Sequence, residues 1–187
     1  MITRINWRDG IFLIVIYITI LTFYQGYYPY FPSIPVYPKN EIEQVVKSIN
    51  TRTQEDVDFF YKTNHGVHFA FLPFVNENAS ELRSMIDNPF TKLIIFSNKY
   101  LINRARPEQI DKSIKPLNKD TAKTPAYPAG HAFQAYLLYK KLSKKYPDKE
   151  KLLLNLAFKC DYCRIKAGLH YPSDGEYSRQ LVNIFYK

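Results

Sequence analysis

The stretch PAGHAFQAYLLYKKLSKKYPDKEKLLLNLAFKCDYCRIKAGLHYPSD, residues 128–174, decides the fold class. Its apolar side chains recur at intervals of three and four residues in two runs, which predicts helices over residues 130–146 and 148–167. Gly168 follows the second run and is a natural helix stop, because glycine readily adopts a positive φ angle. No strand pattern occurs in the chain, so we expect an all-α bundle.

The remainder of the chain continues this helical pattern in shorter segments. Further helices are predicted over residues 40–49, 53–62, 80–86, 89–104 and 173–185. Asn40, Thr51 or Thr53, and Ser80 are the expected N-caps, because their side chains can accept a hydrogen bond from a free backbone amide. Residues 64–79 and 107–129 are predicted to be loops, and a connection as long as the second is often functional.

Length and composition indicate the class of protein. The chain has 187 residues, which suits one domain, and its 46% hydrophobic and 23% charged residues are typical of a globular protein. The net charge of +9 favours anionic partners, although a general basic bias without a partner fits equally. No nucleic-acid-binding motif occurs, so no nucleic-acid partner is expected.

The two cysteines, Cys160 and Cys163, have a spacing that redox pairs and zinc sites also use. A zinc ribbon needs a second pair, which the chain lacks, and a redox pair sits where a strand meets a helix. Both cysteines fall inside a predicted helix, so we expect ordinary helix residues and no metal site.

The N-terminus is predicted to be a membrane segment. Residues 11–24 are almost all apolar, basic residues precede them and tyrosines follow, and the span 10–28 is just long enough to cross a bilayer. Residues 1–28 are therefore interpreted as a signal anchor, with a cleaved signal peptide as the second choice and a buried core helix as the third. Residues 29–38 alternate prolines with aromatic residues and form an extended linker.

The flanking charges predict the orientation of this segment. Arg4 and Arg8 precede it, which indicates that the N-terminus is cytoplasmic. The rest of the chain is then extracytoplasmic or lumenal, or secreted if the segment is cleaved.

Three short motifs carry residues suited to phosphate chemistry. The first is Lys99-x6-Arg106-Pro107, in which two cations seven residues apart can point to the same side. Pro107 disfavours helix at Arg106, so the chain leaves the helix just after Lys99. Alone, this motif also fits two surface cations near a helix end, where they suit the helix dipole.

The second motif is Pro128-Ala129-Gly130-His131. Gly130 permits close backbone approach, and His131 opens a predicted helix whose free amides and positive potential can bind a phosphate. Alone, this motif fits a capping turn with a partly exposed histidine better.

The third motif is Arg164-x5-His170-x3-Asp174. The turn after the helix lets Asp174 fold back onto His170, where a carboxylate on one ring nitrogen leaves the other free to attack. Alone, this motif also fits a structural histidine–aspartate hydrogen bond.

Together and in this order, the three motifs resemble the signature of the type 2 phosphatidic acid phosphatase (PAP2) superfamily, which is Lys-x6-Arg-Pro, Pro-Ser-Gly-His and Ser-Arg-x5-His-x3-Asp. This superfamily includes lipid phosphate phosphatases, bacterial nonspecific acid phosphatases and vanadium haloperoxidases. The resemblance spans residues 99–174. It implies a helical bundle of the PAP2/haloperoxidase type over residues 39–187, which follows the membrane helix predicted at the N-terminus.

The resemblance implies a phosphomonoester phosphatase that needs no metal. Lys99, Arg106, Arg164 and the Gly130 amide would bind the phosphoryl oxygens and stabilise the charge that develops in the transition state. The expected substrate is a lipid phosphate or a small soluble phosphomonoester. No cofactor is expected; vanadate would act as an inhibitor or, as a less favoured alternative, as a prosthetic group.

The resemblance also implies the catalytic roles. His170 would be the nucleophile and form a phosphohistidine, and Asp174 would orient it. His131 would protonate the leaving alcohol and then activate water.

Two alternatives remain open beside the phosphatase. The family's serine in the second motif is Ala129 here, and the serine before Arg164 is Cys163. The first change, together with the short tail after Asp174, favours a weakened or inactive membrane-tethered protein that binds phosphate or a partner. A vanadate-dependent haloperoxidase is less favoured, because family members with that activity are usually much longer.

Overall fold

The structure is a computed structural model that describes residues 37–186. In this part of the chain the regular secondary structure is helical and no strand occurs, so the all-α prediction is confirmed for it. The helices are α1 (Glu41–Asn50), α2 (Gln54–Asn64), α3 (His68–Phe71), α4 (Ala79–Ile86), α5 (Pro89–Ile102), α6 (Pro107–Ile110), α7 (Gly130–Lys145), α8 (Glu150–Lys166) and α9 (Pro172–Phe185). Two 3-10 turns, Leu72–Phe74 and Pro147–Lys149, complete the set.

The predicted membrane segment, residues 10–28, lies outside the described residues. Within residues 37–186, none of the helices combines the length and the hydropathy needed to cross a bilayer.

Helix α7 forms the centre of the main hydrophobic core. It packs against α8 and α9, and also contacts α4. The buried residues of α7 are Ala132, Phe133, Ala135, Tyr136, Leu137, Leu138 and Leu142. A helix with apolar side chains on most of its circumference is stable only when neighbours cover it, and each buried leucine or phenylalanine contributes about 1.5–3 kcal/mol.

The helix caps differ in part from those predicted. Thr53 caps α2 as expected, because its hydroxyl accepts from the Asp56 amide. The prediction of Ser80 for α4 was wrong: Asn78 is the cap, and Glu81 completes a capping box by accepting from the Asn78 amide. Asn40 precedes α1 in a left-handed conformation without a side-chain cap hydrogen bond.

Both predicted loops contain short helical segments. The loop over 64–79 includes α3 and a 3-10 turn, and the loop over 107–129 begins with α6. Helices of four residues carry too few positions for a hydrophobic period, so the pattern could not reveal them. Gly168 has a φ angle of 76°, as expected for a residue that ends α8.

The helix ends that carry the three motifs meet at one side of the core. The Ala129 amide donates to the Asp174 carbonyl at 3.1 Å, and the Ser178 hydroxyl donates to the Ala129 carbonyl at 2.9 Å. These bonds join the start of α7 to the first turns of α9. They bring the second and third motifs together, although more than 30 residues separate them in sequence.

Candidate active site

A small cavity of about 220 Å³ lies where these helix ends meet. Its lining includes five of the seven residues predicted for the site, namely Lys99, Arg106, Gly130, His131 and His170. Its other lining residues are Thr91, Lys92, Ile95, Phe96, Thr121, Thr124 and Gln134. Asp174 and Arg164 do not line the cavity. Asp174 contacts His170, which does, and Arg164 is linked to His131 through Asn64.

His170 is buried and held at both ring nitrogens. Its Nδ1 lies 2.9 Å from Asp174 Oδ2, and its Nε2 lies 3.3 Å from Arg106 Nη1. A guanidinium can only donate, so Nε2 accepts and Nδ1 carries the ring hydrogen. Burial, followed by the Arg106 charge, lowers the pKa of His170 to about 3, despite the opposing effect of Asp174. The ring is therefore neutral near pH 7, with the Nε2 lone pair beside a cation in the cavity.

Asp174 is fully buried and accepts from three groups. Besides His170, these are the Tyr171 amide at 3.0 Å and Arg104 Nη1 at 2.6 Å. Burial alone would raise the pKa of Asp174, but the His170 hydrogen bond and the Arg104 charge hold that pKa below its usual value. The carboxylate is therefore ionised and fixed in position.

Arg106 and Lys99 bring two basic side chains to the cavity. Arg106 donates from Nε to the Thr124 carbonyl at 2.9 Å and from Nη1 to the Leu169 carbonyl at 2.8 Å. Lys99 Nζ donates to the Pro125 carbonyl. Burial and the neighbouring Arg106 charge lower the pKa of Lys99 well below its ordinary value. An anion between the two cations would offset both effects and restore the charged lysine.

His131 faces the cavity from the first turn of α7. Its Nε2 lies 2.9 Å from the Asn64 carbonyl oxygen, which can only accept, so Nε2 carries a hydrogen. The remaining nitrogen, Nδ1, is the one that can gain or lose a proton. Burial and the Arg164 charge lower the pKa of His131 well below its ordinary value, whereas a bound phosphate would favour the charged ring.

Arg164 is buried at the end of α8 and contacts the end of α2. Its Nη1 donates to Asn64 Oδ1 at 3.0 Å, its Nη2 donates to Thr63 Oγ1 at 2.8 Å, and its guanidinium lies 4.6 Å from the Phe60 ring centre. Within the described residues its Nε is buried without a partner. The Nε donor of this buried cation is therefore unused.

Gly130 and Ala129 form the N-terminal end of α7. Gly130 is the first helical residue, so its amide has no acceptor inside the helix. A Cβ at Gly130 would meet only Ile95, at 3.7 Å, so packing alone does not require glycine there. Ala129 is the N-cap, is fully buried and supplies no side-chain cap.

Sequence reasoning missed four residues that hold the site: Glu41, Thr63, Asn64 and Arg104. Asn64 binds both Arg164 and His131, and its side chain also accepts from Thr121 at 3.0 Å. Asn64 lies 100 residues from Arg164, so no local pattern could reveal the pairing. Arg104 offered a signal, since it stands two residues before Arg106 and can reach the same region.

A larger groove of about 640 Å³ lies elsewhere, between α7, α8 and α9. Its lining includes Tyr136, Phe158, Asp161 and Tyr162. We place the candidate site in the smaller cavity because three basic side chains and two histidines converge there. In residues 37–186, no group of three or more His, Cys, Asp or Glu side chains is arranged to hold a metal ion.

Comparison with known proteins yields no match, either to a protein-family model or to a curated protein. The assignment of function therefore depends on the motifs and on the geometry of the cavity.

Proposed function

We propose that the protein is a metal-independent phosphomonoester phosphatase that works through a phosphohistidine intermediate, in a bundle of the PAP2/haloperoxidase type. The observation that carries the proposal is the setting of His170. A buried carboxylate holds its Nδ1, and a cation that can also bind a phosphoryl oxygen faces its Nε2. This arrangement suits attack on phosphorus rather than proton storage, because the ring stays neutral and fixed.

The first step transfers the phosphoryl group to His170. Nε2 donates its lone pair to phosphorus, and the bond from phosphorus to the ester oxygen breaks. Protonated His131 gives its proton to that oxygen, so the alcohol leaves neutral. Lys99 and Arg106 face the equatorial oxygens and stabilise their charge, with Arg164 behind them.

The second step releases phosphate. His131, now neutral, takes a proton from water while the water oxygen bonds to phosphorus and the bond from phosphorus to Nε2 breaks. His170 returns to its neutral form and inorganic phosphate leaves. The three cations and the α7 N-terminus supply the electrostatic stabilisation, so the reaction as proposed requires no metal.

The substrate is a lipid phosphate or a small soluble phosphomonoester. The proposed location is a single-pass membrane protein, anchored through residues 10–28, with its N-terminus cytoplasmic and its catalytic domain extracytoplasmic or lumenal. A secreted form is the alternative if the N-terminal segment is cleaved.

The test is phosphate release by the full chain in EDTA, across pH 4–8, with phosphatidic acid in detergent micelles and with para-nitrophenyl phosphate. We expect His170→Ala to lower turnover by about 10³-fold or more, because it removes the nucleophile. The matched control is His65→Ala, which removes an exposed histidine outside the cavity lining. Equal activity of the two variants, or no inhibition by orthovanadate, would contradict the proposal.

The second candidate is a weakened or inactive phosphate-binding protein. The observation that favours it is Ala129, a fully buried N-cap without the hydroxyl that the PAP2 motif carries. Ala129→Ser separates the two functions. An enzyme gains turnover, because a hydrogen bond to a charged group contributes about 1.5–3 kcal/mol, whereas a binding protein acquires no turnover.

A further inference from the structure

Arg104 lies behind Asp174, outside the cavity lining, and is almost fully buried. Its Nη1 donates to Asp174 Oδ1 at 2.6 Å and to the Ser173 hydroxyl at 2.8 Å. Its Nη2 donates to Glu41 Oε2 at 2.7 Å. Two carboxylates on opposite sides of one guanidinium extend the His170–Asp174 pair into a row of four groups.

Two aromatic rings fix the plane of this guanidinium. Its central carbon lies 3.6 Å from the ring centre of Tyr37 and 3.7 Å from that of Tyr171. Guanidinium groups stack favourably on aromatic faces, and a group held on both faces cannot rotate without losing both contacts. The guanidinium therefore holds its Nη1 toward Asp174 in a single orientation.

Glu41 balances the charge of Arg104. It is buried at the start of α1 and accepts from the Ser173 amide at 2.8 Å and from the Ser173 hydroxyl at 2.9 Å. One carboxylate thus neutralises the cation and also caps the first turn of α9, the turn that contains Asp174. The start of α1 and the start of α9 are joined at the point where the third motif ends.

We propose that Arg104, with Glu41 as its counter-charge, is a positioning residue that fixes Asp174 and sets the proton affinity of the His170–Asp174 pair. The catalytic consequence rests on the proposed function, whereas the effect on proton affinity does not. With Arg104 in place, Asp174 stays ionised, accepts from His170 Nδ1 and leaves Nε2 unprotonated as the attacking nitrogen.

The sign of the effect follows from the charges that face the pair. Lys92, Lys99 and Arg106 line the cavity beside the pair, together with His131. The carboxylate of Asp161 on α8 also interacts with Asp174. Removing the Arg104 cation takes away attraction for the Asp174 anion, so the pair takes up its proton at a higher pH. Opposite charges at such distances commonly shift a titration by about 1–3 pH units.

The rival interpretation is that Arg104 and Glu41 only hold α1 against α9. Under that interpretation, loss of either partner weakens the fold equally and leaves the titration of His170 alone. The two variants Arg104→Gln and Glu41→Gln therefore separate the interpretations. The first removes the cation that touches Asp174, and the second loosens the same helix contact while leaving that cation in place.

The experiment is an NMR titration of the full chain, labelled in its histidine rings, from pH 2 to 8, a range that includes the pKa of about 3 of His170. The chain has only four histidines, so single substitutions assign each signal. We expect Arg104→Gln to raise the pH of proton uptake by the pair by about one unit or more, and Glu41→Gln not to raise it. Arg104→Lys keeps the charge and should stay close to wild type. The matched control is Arg52→Met, since Arg52 binds the Lys166 carbonyl instead.

A folded Arg104→Gln variant that titrates like wild type overturns the inference, and so does an equal rise in Glu41→Gln. If Arg104→Gln does not fold, Arg104→Met and Arg104→Lys are compared in the presence of phosphate. If the pair takes up its proton at a higher pH in Arg104→Met but not in Arg104→Lys, the inference is supported. If the two variants titrate alike, it is overturned.

Turnover gives an independent readout. In Arg104→Gln, the pH below which kcat/KM falls should rise by the same amount as the pH of proton uptake. KM at the pH optimum should change little, because Arg104 does not line the cavity. If wild type releases no phosphate at all, the proposed function fails, and the ring titration still decides the role of Arg104.

Discussion

Asp174 and Asp161 are two buried carboxylates near the same turn of α9, and their environments differ. Asp174 accepts from His170, Tyr171 and Arg104. Asp161 accepts only from the Tyr136 hydroxyl, at 3.1 Å, and within the described residues its Oδ1 is buried without a partner.

The pKa values of the two residues move in opposite directions. Burial raises the pKa of Asp161 to about 7, and the charge of Asp174 adds to this effect. The pKa of Asp174 falls below its usual value although Asp174 is buried more deeply, because its donors outweigh burial. Burial therefore does not decide by itself whether a carboxylate is ionised; the number and charge of its donors do.

The largest effect is expected for Asp174→Asn. Turnover should fall by about 10²–10⁴-fold, because an amide does not hold His170 Nδ1 as a carboxylate does. Stability should fall by about 3 kcal/mol, since Arg104 keeps only Glu41 as a counter-charge. Urea unfolding and phosphate release at pH 7 measure both, with the exposed Asp58→Asn as control. If Asp58→Asn keeps wild-type stability and Asp174→Asn loses only a small amount, the comparison of the two buried carboxylates is contradicted.

The pH dependence of this effect has a defined sign. The folded pKa of Asp174 is lowered, so its stabilisation is present above the unfolded pKa of about 3.9 and is lost as the pH falls below it. The stability difference between wild type and Asp174→Asn should therefore shrink below about pH 4, and a constant difference would argue against an ionised Asp174.

Gly175→Ala comes next, because Gly175 separates the two carboxylates. A Cβ there would collide with the carboxylate of Asp161, so the Asp161 side chain or the two helices must shift. Alanine normally stabilises a helix relative to glycine by about 1 kcal/mol, whereas here we expect a loss of about 2–3 kcal/mol. Thermal or urea unfolding measures it.

A double-mutant cycle supplies the control for Gly175→Ala. In an Asp161→Ala background the obstructing carboxylate is absent, so most of the cost of Gly175→Ala should disappear. A cost that is the same in both backgrounds would show that the contact with Asp161 is not its cause.

Asp161→Asn should change the slope of stability against pH. The folded pKa of Asp161 is raised, so stability is fully present below the unfolded pKa of about 3.9 and is lost as the pH rises through about 7. The variant lacks this loss, so relative to wild type it should gain about 2–3 kcal/mol between pH 5 and pH 8. Urea unfolding at four pH values measures the difference, and parallel curves would refute it.

Tyr136→Phe has the smallest expected effect. It removes the one hydroxyl that donates to Asp161, which costs about 1 kcal/mol while Asp161 is neutral at pH 5 and more when it is charged at pH 8. In this variant the fall in stability with rising pH should also extend above pH 7. The control is Tyr162→Phe, an exposed tyrosine in the same groove, and equal losses in both variants would contradict the assignment.

Parts of the fold were predictable because their signals are local. Helices α7 and α8 followed from apolar residues at helical spacing, and Gly168 marked the end of α8. Cys160 and Cys163 lie inside α8 as free, buried residues, as predicted. The cap of α4 was mispredicted because Asn78 and Ser80 are both good caps, and Glu81, three residues after Asn78, decides between them.

In the candidate site, too, contacts between residues close in sequence were predictable, and contacts between distant residues were not. The pairing of His170 with Asp174 needs only their four-residue spacing at a turn, so the sequence could predict it. The contacts of Arg104 with Glu41, and of Asn64 with Arg164, join residues 63 and 100 positions apart. No local pattern encodes such distances.

The sequence by itself determined the helical class, the limits of the long helices and the residue types available for phosphate chemistry, because periodicity, caps and motif spacing act over a few residues. Only the tertiary structure decided which donors reach each buried carboxylate, and hence that Asp174 is ionised while Asp161 has a pKa of about 7. The physical reason is that desolvation and charge depend on neighbours in space, which the packing of α1 and α2 against α8, and of α1 and α8 against α9, brings together.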